Sequence, residues 1–395
     1  AERMAASLDR AAGAMAAAGI DPDLLAGLSA GAGTLHRLLG TIPDSPHFRH
    51  GGDNPLPFDI VVVDEASMVD LPLMAKLIEA IAEGAQLILL GDADQLPSVE
   101  AGDVLAAILA AAGRGDALAE ADAAALAPLL GMPSSTPIST DTGPIADRRV
   151  HLLRGYRQAG EFELAPLAEA VRAGDVERTL ALLRAGQLAG VHFHENAGDP
   201  LQAHAHLLDH WRALAQLHDP AEALRRADAL RLLTAVREGA QGARGLNARI
   251  EAQLSGRRLG SAPAWFPGRL LLVIENSYRH RLFNGDVGVC LADEDGTALA
   301  WFAGEAGQVR AFHPAALPAH ESAFAMTVHK AQGSEFDQVW LQLPHGDSRV
   351  LSRELLYTAL TRARRSLHLA AGAEAIVAAL ARHAGRVSGL AWRLG

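Results

Sequence analysis

The chain has 395 residues, 49% of them hydrophobic and 21% charged, with a formal net charge of −11. That length suits two or three domains with sizeable cores, and the composition is that of an ordinary globular protein. No apolar run reaches the roughly 18 residues of a membrane span, no signal peptide is recognisable, and the one cysteine, Cys290, excludes an internal disulfide and a cysteine-cluster metal site. Cys290 is expected to be a small buried side chain in a strand, and a reducing cytoplasm fits these features. The acidic balance is unusual for a nucleic-acid protein, which normally carries a basic footprint. Local clusters such as Arg362, Arg364 and Arg365 nevertheless suit a groove.

In chain order, the sequence opens on AERMAASLDRAAGAMAAAG, a helical pattern with no N-cap signal before it. Residues 34–40 follow as TLHRLLG. Ile60–Val63 and Leu87–Leu90 are short apolar runs, each closed by acidic residues, and the segment between them has helical spacing. Such runs are expected to be buried parallel strands. In an open α/β sheet, ligands gather just beyond the carboxyl ends of the strands. Asp64 and Glu65 then stand at one tip, and Asp92, Asp94 and Gln95 at a neighbouring one. There an aspartate can hold Mg²⁺, a glutamate can act as a base on water, and a neutral amide can sense a phosphate. A lone Asp-Glu pair is more often an acidic turn; two tips at this spacing point to nucleotide-driven chemistry.

The phosphate cradle of such chemistry is not in the sequence. A P-loop needs G-x-x-x-x-G-K-[ST], whose amides wrap the phosphates and whose lysine neutralises charge. The chain has only two lysines, Lys76 and Lys330, and neither follows that glycine spacing. Together with the helical opening, this predicts a piece cut downstream of the P-loop strand and helix.

From Ala111 to about Asp147 the sequence turns Ala-rich and then Ser/Thr/Pro-rich, the pattern of a loose helix followed by a linker. A second α/β unit is expected to start near Val150. Its strands are predicted at Val150–Leu153, Val191–Phe193 and Leu230–Ala235, with helices at Leu164–Ala173, Asp175–Leu183 and Asn247–Leu254. From about Pro263 to His313 short apolar runs alternate with tight turns, and Asn284-Gly285 and Asp295-Gly296 are hairpin signals. That interval reads as a small β-barrel inserted in the second unit. The α/β pattern resumes at Ala323, with a strand at Gln338–Leu343 and a helix around Glu354–Arg362.

Several motifs are weak singly: GYRQ at 155–158, LTAVREGAQGARGLN at 233–247, TVHKAQGSEF at 327–336 and LLYTALTRAR at 355–364. Their order, after DEAS at 64–67 and GDADQLPSV at 91–99, resembles that of superfamily 1 helicases, and within them the RecD branch. DEAS looks like motif II, GDADQLPSV like motif III, GYRQ like motif IV, TVHKAQGSEF like motif V and LLYTALTRAR like motif VI. TLHRLLG resembles a DNA-contacting motif near Ia. FNGDVGV resembles part of the SH3-like insert of the branch, and HAGRVSGLAWRLG resembles its tail.

The resemblance implies two RecA-like, P-loop-NTPase-type domains: a truncated first one over 1–146 and a second over 147–262 and 317–395, with an SH3-like β-barrel over 263–316. It implies ATP and Mg²⁺ as cofactors, with Asp64 on Mg²⁺, Glu65 as catalytic base and Gln95 as γ-phosphate sensor. Arg157 and Arg362 would be arginine fingers, since planar, permanently charged guanidinium groups suit the dispersed charge of phosphoryl transfer. Gly333 and Glu335 would lie near the nucleotide. Thr34, His36, Pro97, Arg237, Thr327 and His329 would touch single-stranded DNA, mostly through phosphate and sugar, as suits a motor that ignores sequence.

The activity so implied is a 5′→3′ DNA helicase acting on DNA ends in the cytoplasm, within exodeoxyribonuclease V and beside RecB and RecC subunits, with this piece inactive alone. A stand-alone RecD-like or Dda-like helicase and a non-hydrolysing scaffold remain alternatives. The histidines His204, His206 and His210 lack the acidic partner of a zinc motif, so a half-exposed helix face is expected there. His192 and His194 are expected to share one face of a strand.

Overall fold

The computed structural model describes residues 2–394 apart from 26–32, 43, 99, 101, 131–137, 141–144, 147, 153–161, 196–200, 202–204, 262–263, 294, 305–306, 347 and 387. It divides into two compact units. The first comprises Ala1–Ala93, Pro97–His151 and Gly385–Gly395; the second comprises Asp94–Leu96 and Leu152–Ala384. No helix among the described residues is long and apolar enough to cross a membrane.

The first unit holds a two-stranded parallel sheet, β1 (Ile60–Val63) beside β2 (Gln86–Leu89), with Val63 opposite Leu89. Alternation sets its burial. Val61 and Val63 point into the core, whereas Ile60 and Val62 on the other face are 56% and 41% exposed. The strands were expected to be buried on both faces, as parallel strands usually are; this pair is covered on one face only. The helix Leu71–Ala80 provides the cover. Asp70 caps it by accepting from Leu73 N at 2.8 Å, and Met74, Leu77 and Ala80 form its buried stripe. Burying Met74 and Leu77 contributes about 1.5–3 kcal/mol each. The closing helix Leu390–Leu394, expected to finish the second domain, groups instead with this unit, where Leu390 packs against the core.

The second unit is built on a five-stranded parallel sheet in the order β10 (Ala325–Thr327), β4 (Leu230–Thr234), β11 (Phe336–Gln342), β12 (Ala363–Ala371), β3 (Val191–Glu195). The interior strand β4 reads LRLLT and is buried throughout, as a strand covered on both faces must be. Its Arg231 is wholly buried with both terminal nitrogens paired: it donates to the carbonyls of Ala227 and Ala323, pairs with Asp228 at 3.3 Å and lies over the Phe336 ring, while its Nε finds no partner among the described residues. Burial still pulls its pKa down, with Asp228 opposing. Asn247, on the helix Ala243–Ser255, donates to the carbonyls of Ser322 and Ala325 and accepts from Ala325 N, each at 2.8 Å. That one amide ties the helix to the start of β10.

Two expectations change here. Val150–Leu152 forms no strand, and Leu153 lies outside the described residues. The strand β12 occupies ARRSLHLAA, where charged residues at its start masked the pattern.

The interval after the helix Ala243–Ser255 forms an antiparallel sheet in the order β8 (Val309–Phe312), β7 (Ala298–Ala303), β6 (Val287–Ala292), β5 (Leu270–Val273), β9 (His320–Ser322). Among the described residues its edges are β8 and β9, so closure into the expected SH3-like β-barrel is not seen, and the sheet also recruits residues beyond 316. Asp295-Gly296 does turn β6 into β7, with Gly296 N bonded to Asp293 O. Asn284-Gly285 is no two-residue hairpin; it closes a longer excursion over residues 274–286. Cys290 is buried inside this sheet among Leu271, Val273 and Phe302, and burial pushes its thiol up to about 12.

Candidate functional site

The first unit presents the acidic tip. Asp64 follows β1 directly and is exposed, and its Oδ1 accepts from Glu65 N at 2.9 Å. Glu65 has φ 54° and ψ 41°, a left-handed conformation that costs a non-glycine residue about 1–2 kcal/mol. Strain of this kind clusters at functional sites. Behind it, Ala66 N bonds Leu90 O at 2.8 Å and Leu90 N bonds Val63 O at 2.7 Å, which fixes the two strand ends together. Gly91 is needed for that approach: a Cβ there would sit 2.7 Å from Leu105 Cδ2 and 3.1 Å from Ala66 N. An exposed carboxylate on a rigid strand end fits Mg²⁺, which is held through one or two carboxylates and keeps much of its water.

Gln95 and Arg362, expected as phosphate sensor and arginine finger, both lie in the second unit. Gln95 accepts from Arg362 Nη2 at 2.8 Å, across 267 residues of sequence. The same guanidinium donates through Nε to Thr358 O at 3.1 Å and through Nη1 to Ser334 O at 3.3 Å, leaving Arg362 only 4% exposed. The segment 94–96 is held on both sides. Leu96 N donates to Thr358 Oγ1 at 2.7 Å, Gln332 Nε2 donates to Leu96 O at 2.9 Å, and Arg172 lies 3.8 Å from Asp94. Thr358, Gln332, Ser334 and Arg172 were missed from sequence. The first three sit inside the motifs already quoted, but no local pattern shows which of their atoms face 94–96.

Gly333 adopts φ +72°, which favours glycine, in the turn before β11; Glu335 follows it, half-buried. Arg157 lies outside the described residues.

Of the DNA-facing candidates, Thr34 and His36 are exposed in the first unit. Thr34 caps the helix Leu35–Leu39 by accepting from Arg37 N, and His36 rests edge-on against Phe48. Pro97 is buried. In the second unit Thr327 ends β10 opposite Thr234 of β4, and Arg237 stands just beyond β4, so both occupy one sheet edge. Arg237 pairs with Glu321 at 3.2 Å, and Lys330 pairs with the same carboxylate. His329 is half-buried beside Lys330. Lys76, the other lysine of the chain, pairs with Glu79 at 2.8 Å.

The remaining histidines are otherwise engaged. His192 and His194 do share a face of β3: both stack on His368, and His194 and His368 also lie flat on Trp340. His206 leans on Trp340, His210 bonds Arg226 O at 3.1 Å, and His204 lies outside the described residues.

Comparison with known proteins gives the same family as the motif order. Residues 2–101 match an AAA domain model, and residues 322–370 match a UvrD-like helicase C-terminal domain. The chain is 40% identical over 366 residues to the RecBCD enzyme subunit RecD of Mycobacterium tuberculosis, a match covering 91% of this chain and 57% of that protein. RecD of Haemophilus influenzae is 34% identical over 384 residues, covering 91% and 58%. The ATP-dependent RecD2 DNA helicase of Deinococcus radiodurans is 30% identical over 355 residues, covering 89% and 41%. Among solved structures, Bacteroides Pif1 bound to single-stranded DNA aligns with a TM-score of 0.43 at 16% identity, over 87% of this chain and 80% of that one. By sequence the chain is similar to RecD subunits over nine-tenths of its own length, and it spans somewhat more than half of theirs.

Proposed function

We propose that the complete gene product is an ATP-dependent 5′→3′ DNA translocase and helicase, and that this chain carries most of its motor. The hydrogen bond between Gln95 and Arg362 carries the reading. A neutral amide and a buried guanidinium, each suited to a γ-phosphate, are brought within 2.8 Å although 267 residues separate them. On this reading Asp64 holds Mg²⁺, Glu65 orients and deprotonates the attacking water, Gln95 senses the phosphate, and Arg362 with Arg157 stabilises the charge that spreads in transfer. Gly333 and Glu335 lie beside the nucleotide. Thr34, His36, Pro97, Arg237, Thr327 and His329 contact the strand.

The protein would work in the cytoplasm on DNA ends, with RecB and RecC subunits as partners in an exodeoxyribonuclease V complex for break repair and recombination. The RecD subunits of Mycobacterium tuberculosis and Haemophilus influenzae, at 40% and 34% identity, lie above the RecD2 helicase at 30%, while those of Buchnera aphidicola lie below it at 24–25%; the first two favour that placement over a stand-alone role. The retained set Asp64, Glu65, Gln95, Arg157 and Arg362 speaks against a scaffold that has lost its chemistry.

ATP turnover of the complete gene product, with and without single-stranded DNA, tests the proposal. DNA should stimulate turnover, and Glu65→Gln should abolish it. The 395-residue chain on its own should show none, because removing even one preorganised donor costs about 10²–10³ in rate. Turnover that DNA leaves unchanged, or that survives Glu65→Gln, would refute the assignment.

A further inference from the structure

The excursion over residues 274–286, between β5 and β6, is stapled from several sides. Ser277 and Leu282 exchange backbone hydrogen bonds at 2.7 and 3.1 Å, with Leu282 wholly buried beneath them. Arg310 on β8 donates to the carbonyls of His280 and Arg281, both at 2.9 Å, and Ser277 Oγ meets His280 Nδ1 at 2.9 Å. Asn284 N is held by Asn276 Oδ1 at 2.8 Å. Arg281 is left-handed at φ +49°, so the loop also stores backbone strain.

All of this fixation presents side chains outward. Tyr278 is 69% exposed, braced edge-to-face against Phe283 with ring centroids 6.0 Å apart, and Arg279 and Arg281 are exposed beside it. Core packing gives no reason to hold a tyrosine in solvent on a strained, pinned loop. Residues 276–284 read NSYRHRLFN and contain no carboxylate, in a chain whose net charge is −11. A rigid aromatic face flanked by guanidinium groups is how proteins hold unpaired bases without reading sequence.

The loop's position agrees. On β5, Val273 pairs with His320 and Leu272 with Glu321 of β9. Glu321 is the carboxylate that holds Arg237 and Lys330 at the edge carrying Thr327. Tyr278 is five residues beyond Val273, a reach of at most about 17 Å. The loop therefore leaves the sheet beside that edge, within the same unit.

We propose that Tyr278 is a stacking platform for an unpaired base of single-stranded DNA, with Arg279 and Arg281 on the flanking phosphates. The platform extends the track begun by Arg237 and Thr327, and it rests on the DNA-motor reading above.

The test is binding of the complete gene product to fluorescein-labelled oligo(dT), read by anisotropy over a salt series. Tyr278→Ala should weaken binding about 5- to 150-fold, the value of one stacked base, whereas Tyr278→Phe should stay within about twofold of wild type. Arg279→Gln should lower the salt slope by about 0.7, the share of one phosphate on a single strand. Arg237→Ala is the control for the underlying track. If wild type binds and Arg237→Ala weakens it while Tyr278→Ala does not, the platform is overturned and the motor reading stands. Loss of a protein partner by Tyr278→Ala with unchanged DNA affinity would overturn it equally, marking the loop as a protein-docking surface. If wild type does not bind the oligonucleotide at all, both readings fall.

Discussion

Arg362→Ala tests the site in two independent ways. The guanidinium makes three hydrogen bonds, to Thr358 O, Ser334 O and Gln95 Oε1, from a side chain that is almost fully buried. Bonds from a charged donor contribute about 1.5–3 kcal/mol each, so three independent ones would total about 4.5–9 kcal/mol. Truncation returns part of that, because freezing an arginine costs up to about 2 kcal/mol and water can reach some of the freed acceptors. A net loss of about 3 kcal/mol follows for the second unit. Tryptophan fluorescence in urea reads it well, since Trp211, Trp265, Trp301 and Trp340 all belong to that unit and only Trp392 to the other. In the complete gene product, the same substitution should lower kcat by about 10³ or more while sparing most ATP binding, because the finger acts on charge that develops in the transition state. A protein of unchanged stability would refute the bonding network. Turnover near wild type would refute the finger.

Further outcomes follow from the strain and charge at the other residues. Glu65→Gly should relieve the left-handed strain and raise the first unit's stability by about 1 kcal/mol while abolishing turnover; a destabilised protein in thermal melts would show that Glu65 is held there by contacts rather than against its preference. Glu321→Gln should release Arg237 and Lys330. Affinity for oligo(dT) at low salt should then rise about 2- to 5-fold, as expected for a part-exposed ion pair, with a steeper salt dependence. Weaker binding would mean that Glu321 positions those cations instead of competing for them.

How far the sequence carried the account depends on the range of the forces involved. Strand tips and helix stripes are local. Ile60–Val63 ends at Asp64 as its apolar run does, and the helix Leu71–Ala80 follows from Asp70, Met74 and Leu77. The strand β4 was legible because five consecutive residues are buried on both faces. Features set by long-range contact were not. Asp94–Leu96 follows β2 closely in sequence, yet it clusters with the second unit through Thr358, Gln332 and Arg362, and no periodicity reports such bonds. The strand β12 was hidden because the charged pair Arg364 and Arg365 near its start breaks the apolar pattern. Asn284-Gly285 carries the chemistry of a hairpin turn, but the staples from Arg310 and Asn276 make it the close of a longer loop. The motif order suggests roles for Asp64, Glu65, Gln95 and Arg362; only coordinates could show that Gln95 and Arg362 touch.

The central claim, a DNA motor that runs 5′→3′ on ATP, is tested most directly by strand separation. Duplexes with a 5′ tail, a 3′ tail or blunt ends would be offered to the complete gene product with ATP and Mg²⁺, beside a Glu65→Gln control. A 5′→3′ motor should unwind the 5′-tailed duplex in an ATP-dependent way, with little unwinding of the 3′-tailed one and none by the control. A preference for the 3′ tail, or unwinding that persists in Glu65→Gln, would contradict it.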